Sequence, residues 1–274
     1  MSTNTLTVQA VLTENHILAS LPEAARGALL AHSAPAYLDY QRTVYEAGDS
    51  VRQIFFPVTC VLAEVAIMND GTTVETGMVG REGAVGVTSA FGEYGARCWT
   101  RVLIPGAALA VGAEALRELF HESDALQALL LGYYRSRISH VSRRAICNAR
   151  HRLHERVCTW LLMLCDRAPS VDIPLTQEAV ARQLGARRAG VNEVMVALQR
   201  YGVVEHRRGH VRIEDRERLE AMACLCYGGH RDDFEWRHVA PQGRRNVGGG
   251  GLTGENAREQ VAAGRLRTAL RTDY

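Results

Sequence analysis

Short apolar runs punctuated by Gly and Pro fill the chain from Tyr37 to about Val111: TVYEAG, QIFFPV, CVLAEVAIM, TVETGMVG, TRVLIPG and ALAVG. That rhythm predicts an antiparallel β-roll, with Asn69, Asp70 and Gly71 forming a hairpin turn. Upstream, residues 14–32 (ENHILASLPEAARGALLAH) carry apolar side chains at helical spacing broken by Pro22, so a short helical lead-in is expected.

From Ala113 to about Cys165 the period becomes helical, with no Pro and only Gly132 to interrupt it. A short element, AEALRELFHES, is followed by a long one, DALQALLLGYYRSRISHVSRRAICNAR. Leu126, Leu130, Tyr134, Ile138, Val141 and Ala145 recur at spacings of three or four, so one stripe of the long helix seeks a partner. A homodimer seam is the expectation, and packing on the chain's own roll is the alternative. The next segment, RLHERVCTWLLMLCDRA, gathers Val157, Trp160, Leu161 and Leu164 on one face and ends at Pro169.

The twenty residues from Gln177, QEAVARQLGARRAGVNEVMV, have the pattern of a helix-turn-helix. Val180, Leu184, Val191 and Val194 bury one face of two short helices, and Ala181 is small where the helices cross. Gly185 supplies the left-handed turn between them. Arg187, Arg188 and Asn192 are left at the exposed start of the second helix, where such side chains can reach base edges. Beyond it, VVEHRRGHVRIED reads as a hairpin with a tight turn at Arg208 and Gly209, a wing that carries Arg207, Arg208 and His210. A last helix, DRERLEAMACLC, closes this part. After Tyr227 the composition shifts to Gly and Arg, with four consecutive glycines, and predicts a mostly disordered tail in which residues 257–271 have the pattern of a short helix.

Composition narrows the classes. The 274 residues are 47% hydrophobic and 23% charged, enough for two globular domains, and the net charge of +2 confines any attraction for nucleic acid to one local face. Every Lys-or-Arg position is Arg. The sequence begins without a basic segment followed by an apolar core and has no run long enough to span a membrane, which predicts a cytoplasmic chain. Seven cysteines (Cys60, Cys98, Cys147, Cys158, Cys165, Cys224, Cys226) are scattered without a CxxC pair and read as reduced thiols. Cys147, His151, His154 and Cys158 would span ~16 Å of one helix, too long for a single ion, so no metal site is expected from that row. Cys224 and Cys226, one residue apart, would face away from each other on a helix. No His lies between His32 and His121, which argues against a metalloenzyme built on the roll.

In this order, a roll, a long helix and a winged helix-turn-helix resemble the Crp/Fnr family of bacterial transcription regulators. The resemblance runs from about Glu14 to Tyr227 and rests on VYEAGDSVRQIFFP, DGTTVETGMVGREGAVG, RVCTWLL, LTQEAVARQLGARRAGV and RRGHVRIED. It implies an α+β fold: a cyclic-nucleotide-binding-like β-roll at 14–122, a dimerisation helix at 123–148, a Crp-type winged helix-turn-helix at 149–227, and a tail at 228–274. It also implies a non-enzymatic homodimer on double-stranded DNA, meeting RNA polymerase if it activates.

By that resemblance Thr176 caps the first reading helix, and Gln177 with the helix N-terminus holds a phosphate. Arg187, Arg188 and Asn192 enter the major groove, Arg188 as the bidentate reader of guanine. Arg200, Arg207 and Arg208 supply phosphate contacts. Ala189 stands where the family often has Glu, and Glu193 where Arg is common, so the operator should differ from the family's best-known site. In the roll, Gly80, Gly83, Gly86, Arg97 and Cys98 fall on the effector turn. Val87 occupies the position of the carboxylate that accepts a ribose hydroxyl, with Glu82 nearby but out of register. An effector other than a classical cyclic nucleotide is therefore expected. The alternatives are a cyclic-nucleotide-gated regulator and a module whose winged helix contacts protein. A Cys-rich N-terminal cluster segment is missing, since no Cys precedes Cys60, and no cofactor is expected.

Overall fold

The computed structural model describes residues 14–92 and 95–235. The lead-in is two helices, α1 (His16–Ser20) and α2 (Glu23–Ala31), divided at Pro22. Asn15 caps α1 through its side-chain oxygen, and its amide donates to the carbonyls of Pro57 and Gly83, which pins the lead-in to the roll.

Seven strands make the roll: β1 (Ser33–Leu38), β2 (Thr43–Tyr45), β3 (Gln53–Pro57), β4 (Val61–Ile67), β5 (Thr73–Val79), β6 (Trp99–Ile104) and β7 (Gly106–Gly112). They pair antiparallel in two sheets, ordered β1-β7-β3 and β2-β6-β4-β5, and a 3-10 turn at Val87–Phe91 follows the glycine-rich loop after β5. The hairpin expected at Asn69 to Gly71 joins β4 to β5, where Met68 N–H donates to Thr72 O at 2.8 Å. The first strand starts at Ser33, ahead of Tyr37: Ser33 to Leu38 pair residue by residue with Val111 to Gly106, and that long-range ladder outweighs the small side chains of SAPA.

Helix α3 (Ala113–Glu122) and the long α4 (Asp124–Arg150) meet at Ser123, whose hydroxyl caps α4. At 27 residues α4 is about 40 Å long. It breaks at His151, which is extended at φ −105° and ψ 148°, and α5 (Leu153–Arg167) begins afterwards. The expected stripe on α4 divides. Leu126 and Leu130, with Tyr133, are buried against the lead-in and the roll. Leu131, Tyr134, Ile138, Val141 and Ala145, three and four residues apart, stay exposed. A 27-residue helix outruns the small roll beneath it, so one row of side chains is covered at its start and the adjacent row is left open.

The C-terminal part holds β8 (Asp172–Pro174), α6 (Gln177–Leu184), α7 (Arg188–Arg200), β9 (Val204–Arg207), β10 (His210–Ile213) and α8 (Arg216–Met222). The hairpin is β9 and β10 of a three-stranded sheet ordered β8-β10-β9, with β10 at its centre. Its register sets Val204 against Ile213 and His206, not Val203, against Val211. Helix α5 is buried on nearly every face: Val157, Trp160, Leu161, Leu164 and their neighbours share one apolar cluster with Val61, Val65, Met78 and Ile104 of the roll and with Val180, Leu184, Val191 and Leu198.

Two expectations are corrected beyond α8. The helix stops at Met222, short of the cysteines, because Ala223 turns extended. The supposedly disordered tail opens with a helix, α9 (Cys226–Phe234), whose Tyr227, His230 and Phe234 are buried. Gly228 and Gly229 weaken its propensity by ~1 kcal/mol each. A Cβ at Gly229, however, would stand 2.2 Å from Arg143 Nη1, so the glycine lets α9 lie close on α4, and burial overrides propensity. The rest of the tail, including the pattern at 257–271, lies outside the described residues.

Candidate nucleic-acid interface and effector cavity

Local chemistry builds the helix-turn-helix. Thr176 accepts the N–H of Ala179 at 3.1 Å and caps α6 as expected. Gly185 closes α6 at φ +57°, and its N–H and that of Ala186 bond back to Arg182 and Ala181 carbonyls, the paired bonds of a glycine C-cap. The guanidinium of Arg156 on α5 donates to Leu184 O at 2.5 Å, neutralising the negative end of α6. Val180, Ala181, Leu184, Val191 and Val194 are all buried.

The opposite face is charged. Arg187 precedes α7, Arg188 opens it, and Asn192 lies one turn on; all three are exposed at one helix end. Arg200 is also exposed, but at the far end of α7, about 18 Å from Arg188, so it does not join that group. On the wing, Arg207 and Arg208 are exposed, with Arg207 paired at 2.9 Å to Glu205. Gln177 is half-buried at the start of α6 and Thr176 exposed before it.

The turn also rests on the roll. A Cβ at Gly185 would meet Val74 Cγ2 of β5 at 2.9 Å. Trp160 Nε1 on α5 donates to Glu75 Oε2 of the same strand at 2.9 Å, and Arg144 of α4 stands 3.6 Å from Glu75. Burial pushes the Glu75 carboxyl up, against the pull of Arg144 and the Trp160 hydrogen bond.

A cavity of about 340 Å³ lies between the roll and α4. Of the expected turn residues, Gly86, Arg97 and Cys98 line it, and Gly80 and Gly83 do not. Those two glycines allow close packing: a Cβ at Gly83 would fall 2.3 Å from the Tyr133 ring, and one at Gly80 2.9 Å from Arg167 Cβ. Val87, which the resemblance set at the position of a ribose-binding carboxylate, faces the cavity and the core. Glu82 does not replace it. It is buried in an ion pair with Arg167 at 2.6 Å and accepts the N–H of Gly80.

The carboxylate that does line the cavity is Glu64 of β4, ion-paired to Arg137 of α4. Burial works against the charge on Arg137, but Glu64, Tyr133 and Glu82 together outweigh it and hold the guanidinium protonated. Arg137 also donates to Met78 O at 2.9 Å. Tyr133 donates to Ala84 O at 2.9 Å and Tyr45 to Gln53 O at 2.5 Å, and burial pushes both phenols up. Burial, with the field of Glu64, pushes the Cys98 thiol up to about 12, so it is inert as a nucleophile. Tyr134, Ile138 and Val141 of the open α4 row form part of the wall. Sequence reasoning missed Glu64, Tyr133 and Arg137; only the four-residue spacing of Tyr133 and Arg137 beside the seam row hinted that α4 presents a second face.

Residues 155–222 match the Crp-like helix-turn-helix domain. No curated protein sequence matches the chain. Among solved structures, FixK2 of Bradyrhizobium japonicum is similar with a TM-score of 0.61 and 16% identity, over 70% of this chain and 98% of that one. The c-di-GMP-responsive global regulator CLP of Xanthomonas campestris gives 0.59 and 18%, over 70% and 99%. A CRP-family transcriptional regulator of Thermus thermophilus gives 0.60 and 16%, over 69% and 96%. Among the described residues no helix is long and apolar enough to cross a membrane. Residues 155–222 are thus a Crp-like helix-turn-helix domain, and the chain shares the fold of these solved regulators.

Proposed function

We propose that this chain is a homodimeric, sequence-specific DNA-binding regulator, without enzymatic activity, that works in the cytoplasm. The observation that carries the reading is the exposed cluster of Arg187, Arg188 and Asn192 at one end of α7, held by a capped, glycine-turned helix pair. Thr176 caps α6 at the interface, Gln177 with the α6 N-terminus and Arg200, Arg207 and Arg208 are its phosphate-contacting set, and Arg188 reads guanine. The open row Leu131, Tyr134, Ile138, Val141 and Ala145 supports a seam with a second copy, since its three-and-four spacing suits helix-to-helix packing. RNA polymerase is the further partner if the dimer activates.

The cavity is the effector site of this reading, with Gly86, Arg97 and Cys98 in its wall. Val87 in place of a carboxylate, and Glu64 already paired with Arg137, favour a ligand other than a classical cyclic nucleotide. Selection from a random duplex pool tests the DNA reading: paired half-sites about 34–36 Å apart are expected. Arg188→Ala then relaxes one base pair of each half-site by ~1–3 kcal/mol, whereas Arg207→Ala weakens all duplexes alike. A pool without enrichment, or equal loss on specific and random DNA for Arg188→Ala, overturns it.

A further inference from the structure

The break at the end of α4 brings together four soft ligands that the sequence keeps far apart. Cys147 lies on the last turns of α4 and His151 four residues later, at the break. Cys224 sits in the extended link after α8, and Cys226 opens α9. Their ligand atoms all lie within 4.8 Å of one another. Cys147 Sγ is 3.5 Å from Cys224 Sγ, and Cys226 Sγ is 3.7 Å from His151 Nδ1. His154 and Cys158, which shared the sequence row with Cys147 and His151, lie on α5 beyond the break and are not part of the group.

These distances have a direct chemical meaning. For a tetrahedral ion with metal–sulfur bonds of ~2.3 Å and metal–nitrogen bonds of ~2.0–2.1 Å, the edges of the tetrahedron are ~3.4–3.8 Å. Both measured edges agree with one ion at the centre. An iron–sulfur cluster places its own sulfides between the irons and spreads its protein ligands around a larger cage. We propose that Cys147, His151, Cys224 and Cys226 bind a single zinc-class ion that ties the end of α4 to the segment leaving the winged helix.

Three features suit the site to that role. Cys147 and Cys224 are buried while His151 and Cys226 are half-buried, so two ligands are shielded and two leave an entry path. The Thr159 hydroxyl accepts the N–H of Cys224 at 3.1 Å and stands 3.1 Å from Cys224 Sγ, placed to donate its proton to a thiolate. Binding releases three thiol protons to solvent and leaves a complex of net charge −1. The other described cluster, His140, His230 and Asp233, offers one carboxylate and two neutral imidazoles, so a divalent ion there would keep a net charge of +1 beside Arg144 and Arg167.

Full-length protein purified without chelators, analysed by mass spectrometry for metals, is expected to carry about one zinc per chain. Apoprotein refilled with cobalt(II) shows the intense visible bands and sulfur-to-metal charge transfer of a tetrahedral thiolate site. Cys147→Ser and Cys224→Ser abolish those bands and weaken zinc in chelator competition by more than the ~100-fold of an outer-shell change. Cys165→Ser leaves both unchanged. His151→Cys keeps the stoichiometry and shifts the spectrum toward four thiolates, a readout that survives if a serine variant fails to fold. Substoichiometric metal with no cobalt spectrum overturns the proposal. So does iron with acid-labile sulfide, or an intact mass lower by two hydrogens from a Cys147–Cys224 disulfide.

Discussion

Replacing Gly185 with Ala probes the turn of the helix-turn-helix and its seat on the roll in one experiment. Gly185 holds φ +57°, a conformation that costs a residue bearing a Cβ about 1–2 kcal/mol. The added Cβ also meets Val74 Cγ2 at 2.9 Å, and a β-branched neighbour has little rotamer freedom to move aside. One methyl pressed on another belongs at the low end of overpacking costs, about 1 kcal/mol, so the whole change destabilises by about 2–3 kcal/mol. Val74→Ala removes the steric part and leaves the backbone part. In that background Gly185→Ala costs only about 1–2 kcal/mol, and the double-mutant cycle returns a coupling of about 1 kcal/mol. Urea unfolding of the four proteins, followed by tryptophan fluorescence because Trp160 lies in the shared core, gives both numbers. Equal costs in the two backgrounds would refute the contact between the turn and β5. A cost below about 0.5 kcal/mol with Val74 already truncated would refute the left-handed turn.

Three further outcomes are expected. Ile138→Asp puts a charge in the middle of the open α4 row and yields a folded monomer in sedimentation; a dimer unchanged at micromolar concentration removes this row from the seam. His230, with His140 packed on it at 4.8 Å, is held down to about 3 by burial and then by Arg144, Arg167 and Arg143, with Asp233 beside it. Its folded form therefore stays neutral while the unfolded form takes a proton below its usual value near ~6.5. Stability is complete above that value and is lost as pH falls toward 3. His230→Leu should flatten the decline in urea stability between about pH 7 and about pH 5 by roughly 2 kcal/mol, and identical pH profiles contradict the assignment. Glu64→Gln leaves Arg137 without its partner at the cavity wall; because Glu64 is part-exposed, the loss in urea unfolding sits at or below the low end of the ~3–5 kcal/mol for a broken buried pair, and a loss under ~1 kcal/mol refutes the pairing.

The helix-turn-helix was legible because its determinants are local. Thr176, Gly185 and the spacing of Val180, Leu184, Val191 and Val194 each act within a few residues, so caps, turn and buried face could be read directly. The roll was legible as a rhythm of strands, and its hairpin as a turn, but β1 and β8 depend on ladders to strands far along the chain. SAPA and DIP carry no alternation of their own. The cavity was half legible. The turn residues Gly86, Arg97 and Cys98 were placed, while Glu64 and Arg137 meet only once α4 lies across β4, a separation no local pattern encodes. The cysteines show the same limit more sharply: a row along one helix looked too long for an ion, and a pair one residue apart looked divergent. The break at His151 and the end of α8 at Met222 made the proposed set from half of the row and the whole of the pair. Helix α9 was missed because two central glycines argue against it, whereas the buried Tyr227, His230 and Phe234 decide it.

Strand β5 joins these parts. Its Val74 touches the turn of the helix-turn-helix, its Glu75 accepts Trp160 of α5 beside Arg144 of α4, and its Met78 carbonyl accepts Arg137 at the cavity wall. Contiguity alone is not coupling, which needs an element with two arrangements that both sites bias. Under the effector reading proposed above, Arg137 is the candidate for such an element, because one guanidinium cannot give the same donors to Glu64 and to an anionic ligand. An anion in the cavity competes with Glu64 and acts on the side chain that holds β5. An uncharged apolar ligand leaves the pair closed and acts through Tyr134, Ile138 and Val141 at the open row of α4. The two ligand classes therefore enter through different elements. On the proposed reading an anion would reach the helix-turn-helix through the strand beneath Gly185, and an apolar ligand through the row proposed to meet a second copy.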